Sequence, residues 1–108
     1  MGDSTDRRAS ERMPVTAGTT CSFAAQVAEE LAGARVRDVS LEGLGLVLIR
    51  KIEIGSLLAV SLANPANNFV KTVVVKVAHV TPVPGGYLVG GAFTTPPLTY
   101  QELTAMVM

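Results

Sequence analysis

The sequence predicts an all-β domain, an antiparallel barrel or sandwich finished by one short C-terminal helix. Three observations predict it. Val, Leu, Ile and Thr dominate the body of the chain, with glycine or proline punctuation roughly every ten residues. Within the runs so bounded, apolar side chains recur at every second position, the period of a strand with one buried face. After Pro96-Pro97 the apolar spacing changes to three and four, the period of a helix. The chain has 108 residues, enough for one domain with one hydrophobic core and no metal or disulfide staples.

The elements follow in order. The opening MGDSTDRRASER is polar and densely charged, with nothing to pack, and predicts a flexible arm over residues 1–12 ahead of a compact domain over 13–108. Ser22 to Ala32 is open to two readings. Its helix propensity is high, Gly33 would stop a helix, and Phe23, Val27 and Leu31 share a helical face. Yet Cys21, Phe23, Ala25 and Val27 also alternate as in a strand. Leu44, Leu46 and Leu48 alternate with Gly45, Val47 and Ile49, and Leu58, Val60 and Leu62 repeat the pattern after a break at Gly55. Ala63 to Asn68 is a turn. Phe69 to Thr81 is a long β-branched run with Val73, Val75 and Val77 on one parity, and His79 on the same parity. Pro84-Gly85-Gly86 turns the chain again, and Tyr87 to Phe93 pairs back with Val89 and Phe93 on one face. Thr99-x-x-Glu102 is a capping-box pattern, and Leu103, Met106 and Val107 then form one helical face.

Composition narrows the function. With 48% apolar and 17% charged residues the chain is not a disordered one. Nine basic and nine acidic residues cancel. A chain without net charge has no long-range field to gather nucleic acid. Its aromatics, Phe23, Phe69, Tyr87, Phe93 and Tyr100, are scattered and form no stacking platform on a basic groove. One cysteine, Cys21, and one histidine, His79, exclude an internal disulfide and any multi-cysteine or two-histidine metal site, and fit a reducing, cytoplasmic compartment. No segment resembles a signal peptide. The longest uncharged stretch, Val77 to Gln101, is broken by prolines and glycines, so no membrane insertion is expected.

Catalysis has little to stand on. There is no Ser-x-x-Lys, no Gly-x-Ser-x-Gly and no phosphate loop. His79 reads as a strand histidine near a barrel end, Cys21 as a small buried apolar group, and Glu29-Glu30 as a solvated face. The expectation is no enzyme, no cofactor and no metal.

Two motifs remain. Arg7-Arg8-Ala9-Ser10-Glu11-Arg12 contains Arg-x-x-x-Arg at Arg8 and Arg12. Asp38-Val39-Ser40-Leu41-Glu42-Gly43 is an Asp-x-Ser-x-x-Gly. Asp38 and Ser40, two apart, would project from one face of a strand. Val36 shares their parity while Val39 and Leu41 take the other, so the apolar register flips here, as at a bulge or strand end. Gly43 permits a close approach that a Cβ would block. A carboxylate, a hydroxyl and accessible backbone would thus converge, with guanidinium groups brought to them by the arm. Guanidinium groups fork onto phosphate oxygens or onto guanine O6 and N7, and a carboxylate suits the N1–H and N2–H donors of guanine. The set matches a guanine nucleotide and matches a metal or an acyl substrate poorly.

Arg-x-x-x-Arg, then Asp-x-Ser-x-x-Gly, then a β-rich body and a C-terminal helix, resembles the PilZ domain family over essentially the whole chain. Gly90-Gly91-Ala92-Phe93 looks like the Gly-x-x-Phe of that family's final strand. The resemblance implies a six-stranded antiparallel β-barrel that binds cyclic di-GMP and passes the signal to a separate effector protein. It implies ligand contacts from Arg8 and Arg12, and from Asp38, Ser40 and Gly43. It also implies that Arg7 helps hold a second, intercalated ligand, and it turns Ser22 to Val27 towards strand. The alternative it carries is a family member that keeps the fold as a structural or protein-interaction domain without the nucleotide.

Overall fold

The structure, a computed structural model, describes residues 12–23, 31, 33–94 and 97–108. The all-β prediction holds. The strands are β1 (Met13–Pro14), β2 (Thr20–Phe23), β3 (Arg35–Val39), β4 (Gly43–Leu48), β5 (Leu57–Asn64), β6 (Phe69–Val83) and β7 (Gly86–Phe93), followed by one helix, α1 (Tyr100–Val107). All pairings are antiparallel, in the order β1-β3-β4-β7-β6-β5-β2. The sheet has seven strands and not six, the extra one being the two-residue β1, which pairs Met13 with Val39 and Pro14 with Asp38. The sheet curls into a half-barrel. Among the described residues no ladder joins β2 to β3, and the half-buried Cys21 thiol reaches the Val36 backbone across that gap.

Alternation builds the core. Leu44, Leu46 and Leu48 from β4, Leu58, Val60 and Leu62 from β5, and Val73, Val75 and Val77 from β6 all point inward and are buried. Burying each such side chain is worth about 1.5–3 kcal/mol against leaving it in water. Leu103 and Met106 of α1 close one end of this core. The capping box forms as predicted: Thr99 Oγ1 accepts from the Glu102 N–H at 3.1 Å, and the Thr99 N–H donates to Glu102 Oε1 at 2.9 Å. The ambiguous Ser22–Ala32 segment begins as strand through Phe23, while residues 24–30 and 32 lie outside the described ones.

Two bulges re-aim the outer face. In β3 the register shifts between Val36 and Asp38, leaving Arg37 as the extra residue. Val36 and Val39 therefore both point into the core, and Arg37 and Asp38 both point out. This is the flip of apolar parity expected from sequence. In β6 the register shifts between Val77 and His79 at Ala78. His79 was expected on the parity of the buried valines. The bulge turns it outward instead, and Val80 takes up the inward position.

Candidate ligand-binding site

Strand register places four residues in one row across the outer face: Asp38 of β3 opposite Gly45 of β4, Gly45 opposite Gly90 of β7, and Gly90 opposite His79 of β6. The two middle positions carry no side chain. The result is a pocket of about 190 Å³ with a backbone floor, walled by Asp38 on one side and His79 and Thr81 on the other, with Leu88 at one end. A Cβ at Gly45 would stand 2.6 Å from Asp38 Oδ1, so the carboxylate lies over that glycine. A Cβ at Gly90 would stand 3.7 Å from His79 Cδ2 and 3.9 Å from Arg12 Nη2, so two nitrogen-bearing side chains converge above it.

Arg12 reaches this pocket from just before β1. Its Nη1 donates to Asp38 Oδ1 at 3.1 Å. Met13 and Pro14 pair with the end of β3, and that pairing fixes where the arginine starts. The bulged Arg37 flanks the same carboxylate, Nε to Oδ2 at 4.0 Å. The pocket thus offers one carboxylate with open lone pairs, one guanidinium fork, an imidazole and a flat floor. These suit a planar heterocycle with paired N–H donors and a nearby anion.

The other motif residues sit elsewhere. β3 ends at Val39, so Ser40 does not share an exposed strand face with Asp38 as expected from sequence. Ser40 is buried in the turn that follows. Its Oγ accepts from the N–H groups of Glu42 at 3.3 Å and Gly43 at 3.1 Å, and lies 3.3 Å from the Gly43 carbonyl. Gly43 packs so closely on the Gly91 carbonyl that a Cβ there has no room. These two residues shape the turn between β3 and β4, and neither lines the pocket. Arg7 and Arg8 lie outside the described residues, as does the arm except for Arg12.

A model of the PilZ domain matches residues 6–108. The chain belongs to the PilZ domain family. A comparison with curated proteins yields no match. PilZ domains are ligand-binding adaptor modules, not enzymes, and generally bind cyclic di-GMP. Among the described residues of this PilZ domain, no three His, Cys, Asp or Glu side chains group as a metal site would need, and no helix is long and apolar enough to cross a membrane.

Of the four residues in the pocket row, the sequence alone points only to Asp38. Gly45 was read only as the alternate of three leucines, although glycine inside a strand is itself a sign of close approach to backbone. Gly90 stands in the sequence only as part of the Gly90-Gly91-Ala92-Phe93 stretch that resembles the family's final strand. His79 was not recoverable, because its direction depends on a bulge that no spacing in the sequence announces.

Proposed function

We propose that this PilZ domain is a cyclic di-GMP receptor module that signals to a partner protein by changing its surface when the ligand binds. The observation that carries this reading is the glycine-floored row from Asp38 to His79 with Arg12 above it. A guanine lying on Gly45 and Gly90 has its N1–H and N2–H directed to the Asp38 carboxylate, while Arg12 turns to a phosphate or to O6 and N7. The Arg12–Asp38 pair that must open for this is partly exposed, and such pairs are worth only about 0–1 kcal/mol. Arg8, four residues before Arg12, adds a guanidinium group for guanine and phosphate, and Arg7 adds one for a second, intercalated ligand molecule. Ser40 and Gly43 act by setting the turn beside Asp38. A cytoplasmic location goes with this reading.

Calorimetric titration with cyclic di-GMP tests it, giving affinity and stoichiometry together. Saturable heat with one or two ligands per chain is expected, and Arg7→Ala should lower a stoichiometry of two towards one. Neither heat nor thermal shift at high micromolar ligand would leave the fold as a protein-interaction domain without the nucleotide.

A further inference from the structure

The row next to the pocket has a different character. Arg35 of β3 lies opposite Val47 of β4, Val47 opposite Leu88 of β7, and Leu88 opposite Thr81 of β6. Here the two middle positions carry apolar side chains and form a raised shelf beside the hollow of the glycine row. A groove of about 430 Å³ runs along this shelf, lined by Arg35, Arg37, Val47, Leu88, Val83 and Pro84. Leu88 lines both the groove and the pocket, so the two are neighbours on one face of the sheet. Among the described residues no acidic side chain lines the groove and Arg35 has no ion-pair partner. Arg37 is turned onto this face by the β3 bulge, since a regular strand would alternate it against Asp38.

Resting on the cyclic di-GMP reading, we propose that this groove is a second nucleotide subsite, taking a guanylate unit with its base on the Val47–Leu88 shelf and its phosphate on Arg35 and Arg37. The first pocket has room for a single base, whereas the ligand carries two bases and two phosphates. The anion that remains meets a field set by two guanidinium groups, which fork onto phosphate oxygens. The base that remains finds apolar side chains for its face, as nucleotide pockets commonly provide. The same chemistry can come from the other half of one ligand or from a second ligand molecule.

Titration of the wild type, Arg35→Gln, Arg35→Gln/Arg37→Gln and the outlying Arg50→Ala with cyclic di-GMP separates the outcomes. Arg35 makes no contact with Asp38, so the single variant leaves the first pocket untouched. Both arginines are exposed, so melting of the free protein should be unchanged. If the subsite takes the other half of one ligand, affinity falls about ten- to a hundred-fold in Arg35→Gln alone, and further in the double variant, at unchanged stoichiometry. If it takes a second molecule, stoichiometry falls from two towards one while the tighter affinity stays. Wild-type affinity and stoichiometry in Arg35→Gln would overturn the subsite, whatever the double variant does, and leave the receptor reading intact, as would an equal loss in Arg50→Ala. A wild type that does not bind would bring down the receptor reading and the subsite with it.

Discussion

A methyl group at position 90 separates stability from binding. The Cβ of Gly90→Ala would meet His79 and Arg12 at 3.7 and 3.9 Å, ordinary contact distances, so the strand accepts it. Glycine inside a strand is disfavoured by roughly 0.5–1 kcal/mol relative to alanine, and the variant should melt no lower than wild type. The same methyl fills the floor on which the base lies, and cyclic di-GMP titration should show weaker binding by tenfold or more. Undiminished affinity would move the base off this floor. Arg12→Ala and Asp38→Ala each remove a charged partner of the ligand, and losing even one charge-assisted hydrogen bond costs about 1.5–3 kcal/mol or roughly ten- to a hundred-fold in affinity. The pair is partly solvated, so urea melts of the free variants should differ from wild type by less than about 1 kcal/mol. Cys21 is a contrasting case. Burial raises its thiol pKa despite the hydrogen bond with the Val36 backbone, which makes it a poor nucleophile at neutral pH.

At the scale of elements, α1 is held to the sheet by one charged contact and one buried polar chain. Lys71 of β6 donates to both oxygens of Glu102, at 3.0 and 2.8 Å. That ammonium first, and then the Thr99 N–H, hold the Glu102 carboxyl below its ordinary pKa. A depressed folded pKa contributes stability that is present above the unfolded pKa of about 4.3 and is lost as pH falls through the folded value. Glu102→Gln keeps the capping geometry and removes the charge. It should lower stability by about 0.5 kcal/mol at pH 7, and the difference from wild type should shrink in melts as pH falls below about 4.3. The buried chain runs from the far side of the helix. Thr19 Oγ1 donates to the Met106 carbonyl at 2.8 Å and accepts from Asn64 Nδ2 at 3.0 Å. Thr19→Val keeps the shape and strands the buried amide of Asn64. A loss of about 1–3 kcal/mol in chemical denaturation is expected, and a smaller loss would mean that water enters there.

At the scale of the whole molecule, the core lies inside the curl and the pocket and groove lie outside it, on β3, β4, β7 and β6. A ligand bound there would bridge strands already joined by ladders and stabilise the folded state alone. At a hundred times Kd, cyclic di-GMP should add about 2.7 kcal/mol, a rise in Tm of about 10 °C for a domain of this size. An equal rise with single-stranded DNA would argue for unspecific anion binding.

The sequence by itself determined the all-β class, the inward leucines and valines of β4, β5 and the first half of β6, and the capped terminal helix. Each is a local matter: period two or period four, a turn residue, a capping pair. It also showed Arg12, Asp38, Ser40 and Gly43 as a motif, and the parity change around Asp38 located the bulge. Tertiary structure alone decided what those residues do. Ser40 turned to the backbone of its own turn because β3 ends one residue earlier, and Asp38 turned to Gly45 because Arg37 is the residue left over. The pocket itself belongs to register. Asp38, Gly45, Gly90 and His79 are far apart in the chain and meet only where four strands align, and a single extra residue at Ala78 carries His79 from the core face to the pocket. Side chains alternate with period two, so one inserted residue reverses every direction that follows, and only the partner strand fixes where the insertion falls.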